Sequence, residues 1–235
     1  MKFIKKFFIT IILIFGVIAG IIFYQGYDLY KTAIEKTTIE TMVENIRSKE
    51  DFCKIEDLPQ DYINAVVAVE DRRFYKHNGI DIISIGRAVV TDIKEMALVE
   101  GGSTITQQVA KNNLFSQEKK ATRKIAEMFA ARDLEEYCSK DEIFELYVNT
   151  SYFGDGYYSV KDAANGYFDK EPKDMDLYES TLLAGIPNAP SVYAPTKNPE
   201  LARQRQAQVV EKMVVNGYLT EEQADEIVKV DKVNN

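Results

Sequence analysis

The sequence is poor in metal-binding side chains. His77 is its sole histidine, and its two cysteines, Cys53 and Cys138, fall in no metal-ligand spacing, which argues against a zinc site. It also lacks an excess of positive charge. Its 29 lysines and arginines face 37 aspartates and glutamates, a net charge of -8, where a nucleic-acid partner would call for a basic face. Repeats and low-complexity stretches are missing, and period-2 alternation is scarce, so the fold is expected to be mainly α. What is present, 46% hydrophobic and 28% charged residues over 235 positions, is enough for one domain with a sizeable core, with or without an appendage.

The N-terminus has its own composition. Phe7 to Tyr24 holds no charged residue, which suits a membrane-spanning helix of near-minimal length. Lys2, Lys5 and Lys6 precede it, and such positive flanks stay in the cytoplasm, so the rest of the chain is expected outside. A cleaved signal peptide would have a shorter apolar core ending in small residues, whereas this one runs through Ile21, Ile22 and Phe23 into Tyr24. The resulting division is a basic tail (1–6), a transmembrane helix (7–24), a helical stalk (25–57), a globular domain (58–216) and a C-terminal extension (217–235). The domain reads as helices broken at Asn78-Gly79, Gly101-Gly102 and Gly154-Asp155-Gly156. Pro187, Pro190, Pro195 and Pro199 mark an irregular segment, and a closing helix runs to Asn216-Gly217.

Three segments carry residues suited to chemistry. In a helix from Asp61 to Phe74, Ile63, Val66, Val67, Glu70 and Phe74 share one face. Glu70 thus stands where another aliphatic side chain is expected. It is either a base whose pKa desolvation raises toward ~6–7, or half of a structural ion pair with Arg73. In the second segment, GGSTITQQVAKNNLF, Ser103 is a plausible N-cap, and Thr104, Gln107, Gln108 and Lys111 share the face opposite Ile105 and Val109. A hydroxyl, two amides and an ammonium suit a sugar and a phosphate together; the alternative is a solvated helix face. In the third, Ile125, Met128, Phe129 and Arg132 define one side, and Arg123 and Glu127 form an i,i+4 pair on another. On a surface that pair is worth only ~0.3–0.5 kcal/mol, and beside Lys124 it could also complete a site for an anionic sugar donor.

Together these segments resemble one family, the peptidoglycan glycosyltransferases, found as a module of class A penicillin-binding proteins and as monofunctional enzymes. The resemblance covers Leu58 to Asn216 and rests on five stretches in order: VEDRRFYKHNG, GGSTITQQVAKN, RKIAEMFAARDLE, FELYVNTSYFGDGYYSVKDAANGYFDK and LLAGIPNAPSVYAP. It implies a mainly α, lysozyme-like domain with a head and a jaw lobe. It also implies a substrate pair of lipid II and the growing lipid-linked glycan, a bacterial membrane location with the catalytic domain extracellular, and association with other cell-wall synthesis proteins. Since little sequence follows the fifth stretch, the monofunctional form is expected. By resemblance, Glu70 is the general base, and Glu127 positions or polarises substrate, near a divalent cation such as Mg or Mn. Lys111, Arg123 and Lys124 face the donor pyrophosphate, which is also where phosphoglycolipid inhibitors such as moenomycin bind. Ser103, Thr104, Gln107 and Gln108 line the sugar and phosphate path, and Asn112 is counted with them. Leu114 and Phe115 either dip into the membrane interface or pack in the core. Two departures stand out: Ser159 replaces a glycine usual after the tyrosine of the fourth stretch, and Lys119 and Lys120 occupy a place that often carries arginine.

Overall fold

The computed structural model describes residues 2–95, 101–116 and 120–233; Lys119 lies outside them. Twelve α-helices follow one another among these residues, with no β-strand. The first, α1 (Lys2–Lys36), is a single helix. It fuses the transmembrane segment with the first part of the expected stalk, because nothing between Tyr24 and Lys36 breaks a helix and a lone glycine such as Gly26 costs only about 1 kcal/mol. Its N-terminal half is largely exposed. Phe7, Phe8, Ile12, Leu13 and Phe15 are all more than half exposed, and the helix is long and apolar enough to cross a membrane.

Its C-terminal half is different. Phe23, Tyr27 and Tyr30 surround the Phe129 ring at centroid distances of 5.6, 5.2 and 5.4 Å, and the Tyr30 hydroxyl donates to Asp133. A Cβ at Gly26 would lie 2.5 Å from Ile125 Cβ and 2.8 Å from the Thr122 carbonyl oxygen. Only glycine permits this approach. Next, α2 (Ile39–Arg47) is capped by the Thr38 hydroxyl, which accepts from the Thr41 N–H. Its Ile39, Met42, Val43 and Ile46 repeat at helical spacing and are buried in the main core. This part of the expected stalk therefore packs into the core of the globular body.

The helix carrying Glu70, α3 (Gln60–Glu70), stops four residues before Phe74. Asp71 leaves helical geometry, with its carboxylate 2.9 Å from His77 Nε2 and accepting from the Ile105 N–H at 3.0 Å. Phe74 then heads a 3-10 turn and is nevertheless fully buried. Asp81 caps α4 (Ile82–Glu95), accepting from the Ile83 and Ser84 N–H groups and the Ser84 hydroxyl, and pairs with Arg73 Nε at 3.0 Å. Arg73 is thus the partner of Asp81.

The remaining helices are α5 (Ile105–Leu114), α6 (Ala121–Tyr137), α7 (Lys140–Val148), α8 (Val160–Phe168), α9 (Leu177–Gly185), α10 (Pro190–Tyr193), α11 (Pro199–Val215) and α12 (Glu221–Val233). Two packing groups organise them. In one, α3 lies against α9 and α11; in the other, α5 lies between α6 and α7, and α6 rests on α1. Fully buried Tyr62, Phe144, Tyr147 and Phe153 fill the interior, each of the two phenylalanines contributing roughly 1.5–3 kcal/mol by leaving water. Beyond Asn216, Leu219 and Ile227 are buried in the same core. Leu114 packs against that core as well. Ser159 caps α8 by accepting from the Asp162 N–H at 3.1 Å, a bond that glycine could not make. Cys53 and Cys138 are buried and unpaired; burial pushes their thiols up to about 12 and about 11, so neither is a ready nucleophile.

Candidate active site

Around α5, the first three sequence segments converge. The cap of this helix is Thr104, one residue after the expected Ser103. The Thr104 hydroxyl accepts from the Gln107 N–H while the Gln107 side-chain oxygen accepts from the Thr104 N–H, a reciprocal capping box. The Thr104 hydroxyl also donates to the Gly79 carbonyl at 2.6 Å. Thr104 and Gln107 are both buried, so two of the four residues of the expected polar stripe hold the helix start in place. Gln108 and Lys111 remain half-buried on its side, with Asn112 beside them.

Glu70 ends α3 with its side chain only 10% exposed. Gln108 Nε2 donates to Glu70 Oε2 at 2.8 Å. Its cationic neighbour is Arg205 on α11, whose Nη2 stands 3.8 Å from Oε1; the expected alternative, Arg73, is engaged elsewhere. Two buried phenols, Tyr62 and Tyr147, lie close enough to feel the Glu70 charge; Tyr147 is near the Ser151 side chain, while the Tyr62 hydroxyl has no hydrogen-bond partner among the described residues. Burial, before any charge effect, drives both phenols upward and keeps them neutral.

Glu127 has the opposite setting. Its side chain is 2% exposed on α6, with Arg123 Nε at 2.8 Å from Oε1 and Lys124 Nζ at 3.0 Å from Oε2. The Arg123 N–H does not aim at Oε1, which accepts no hydrogen bond, so this contact is Coulombic. Lys124 also donates to the Ser103 hydroxyl, tying the glycine-bearing loop to α6. The i,i+4 pair that would be worth little on a surface is therefore buried, where removing one partner leaves a costly charge. Lys111 lies within the field of both carboxylates. Burial pushes its ammonium down, Glu127 and Glu70 oppose this, Arg123 and Lys124 reinforce it, and the net position is below ordinary lysine. An anion arriving beside Lys111 would relieve that deficit.

Both oxygens of Glu127 already face cations, and no cluster of three or more His, Cys, Asp or Glu side chains suited to a metal occurs among the described residues. Sequence reasoning missed Arg205, which sits in the polar run RQRQAQ of α11 with no pattern to distinguish it, and Asp71, hidden beside Glu70. The fourth stretch meets the residues just after the fifth at Asp155. Its carboxylate takes Lys197 Nζ at 2.8 Å and the hydroxyl of Thr196, which hold it below the ordinary aspartate range.

Residues 35–214 match the family model described as transglycosylase. Penicillin-binding protein 1A of Neisseria flavescens is 44% identical over 181 residues, 77% of this chain and 23% of that protein. Penicillin-binding protein 1F of Bacillus subtilis is 44% identical over 170 residues, 72% of this chain and 24% of that protein. The crystal structure of penicillin-binding protein 1A from Haemophilus influenzae matches with a TM-score of 0.44 and 21% identity, over 76% of this chain and 17% of that one. The chain thus spans about a quarter of the length of the curated relatives it matches. A family match that runs from the last turn of α1 almost to the end of α11, through every helix that carries the two glutamates and their cations, makes this chain a member of the transglycosylase family.

Proposed function

We propose that the chain is a peptidoglycan glycosyltransferase that polymerises lipid II into β-1,4-linked glycan strands. The observation that carries this reading is the contrast between its two glutamates. Glu70 is held by a neutral amide and a guanidinium beyond hydrogen-bond reach, so its carboxylate can accept a proton. Glu127 is clamped between two cations, which suits a positioning role beside a pyrophosphate. The 4-hydroxyl of the acceptor GlcNAc attacks the anomeric carbon of the donor MurNAc and loses its proton to Glu70. The bond from that carbon to the pyrophosphate oxygen breaks with inversion, and polyprenyl pyrophosphate leaves. Pyrophosphate needs no acid once its growing charge is met, and Lys111, Arg123 and Lys124 supply that compensation. Ser103, Gln108 and Asn112 contact the sugars and phosphates.

The apolar half of α1 anchors the protein, with the domain on the outer face where the preceding lysines place it. Both substrates carry lipid tails, so confinement to the same membrane raises their effective concentration. Other cell-wall synthesis proteins are partners of the same reading. The test is polymerisation of labelled lipid II by the full chain, with and without moenomycin. Glycan strands whose formation moenomycin blocks are expected; release of soluble muropeptides from purified cell wall, with no polymer, would instead assign a hydrolase.

A further inference from the structure

Nothing in the five stretches singles out Arg205, yet the structure builds a socket for it. Its side chain is 13% exposed, Nε donates to the Gly185 carbonyl at 3.4 Å, and Nη1 donates to Gln208 Oε1 at 2.9 Å. Gly185 leaves the room that the stem crosses: a Cβ there would lie 2.9 Å from Arg205 Cγ. Held this way, the guanidinium ends 3.8 Å from Glu70 Oε1. That distance is too long for a hydrogen bond but short enough for strong Coulombic attraction. Gln108 already occupies the other oxygen, Oε2.

We propose that Arg205 is the positioning residue of the Glu70 base: it stabilises and orients the carboxylate while leaving Oε1 as the oxygen that receives the proton. The groups acting on this carboxylate are Arg205 on α11, Lys111 on α5, Tyr147 on α7 and Tyr62 on α3 itself. The two phenols are neutral, and Lys111 is shared with Glu127 and the cations around it, so Arg205 is the permanent charge facing Oε1. Gly185 belongs to the device because any side chain there pushes the guanidinium out of place.

This inference rests on the proposed role of Glu70, and the experiment separates the two. Full-length Arg205→Gln, Arg205→Lys, Gly185→Ala and Glu70→Gln are compared in lipid II polymerisation for kcat and KM, with thermal midpoints measured in detergent. Arg205→Gln is expected to lower kcat about 10- to 100-fold, a share of the ~10²–10⁴ that a general base supplies, with KM within about twofold. Lys should restore most of kcat, and Gly185→Ala, which removes no charge, should lower kcat in the same direction. If Arg205→Gln does not fold, the kcat and KM of Arg205→Lys and Gly185→Ala decide. An unchanged kcat, or a loss confined to KM or thermal midpoint, overturns the positioning role. An active Glu70→Gln would remove the base itself, whereas an inactive one beside a normal Arg205→Gln would sink only this inference.

Discussion

Glu70 keeps a carboxylate at the end of α3 by giving one oxygen to Gln108 and leaving the other unbonded. Glu70→Gln preserves the shape and an acceptor for the Gln108 amide but takes no proton. Polymerisation should fall below about 1% of the parent with an unchanged thermal midpoint; higher residual activity in the purified variant would remove Glu70 as the base. Arg123→Ala is predicted to act twice. It should weaken moenomycin binding, measured by fluorescence anisotropy, and also lower stability by about 1–3 kcal/mol, because Glu127 loses one of its two cations in a buried place. Asp81 allows a pH test. Burial pushes its carboxyl up, but bonds from the Ser84 hydroxyl and N–H, the Arg73 guanidinium and the Ile83 N–H outweigh this and hold it below ordinary aspartate. Its contribution is therefore complete above about pH 4 and is lost as pH falls through the depressed value. Asp81→Asn should be less stable than the parent at neutral pH, and the gap should close on acidification to about pH 2. A gap that persists there would refute the linkage.

Among the elements, α6 joins the site to the anchor. One of its faces carries Arg123 and Glu127, while Ile125 and Phe129 meet α1. Phe129→Ala should cost about 2–4 kcal/mol, somewhat less than a fully buried phenylalanine. Thermal unfolding in detergent measures this, and a loss under about 1 kcal/mol would mean that the two helices are only loosely joined. Much of this element was legible in the sequence: the periodicity of Ile125, Met128 and Phe129 marked an apolar side, and Arg123–Glu127 marked a pair. What covers that side was not legible, since periodicity names a face but not its partner. The sequence put the cap at Ser103, and Thr104 and Gln107 in a binding stripe; instead these two close a buried capping box, their side chains bonding each other's backbone. The end of α3 was misplaced for a related reason. Phe74 keeps helical spacing with Val67 in sequence and is buried, but Asp71 bonds to His77 and the start of α5 instead of continuing the turn. Arg205 was invisible because a long-range charge pair leaves no local pattern.

At the scale of the whole molecule, α1 carries both the apolar segment and the seat of α6 without a break. Phe7 to Tyr24 rises about 27 Å at 1.5 Å per residue, close to the hydrocarbon thickness. Gly26, where α6 touches, lies only about 3 Å further along. In the proposed arrangement, this sets Arg123 and Glu127 at the level of the lipid headgroups, where a pyrophosphate with a membrane-buried tail resides. The anchor therefore has a phase as well as a length. One residue inserted after Tyr24 turns the apolar segment by about 100° relative to Gly26, whereas seven residues restore its facing to within about 20° and raise the site by about 10 Å. If only tethering matters, activity in bilayers should be indifferent to such insertions. If height governs, activity should decline steadily with each added residue, and short lipid tails should suffer first. If Phe23 must also face Phe129, activity should fall with one or two insertions and partly return near four and seven, so that a plot of turnover against insertion length shows the pitch of a helix.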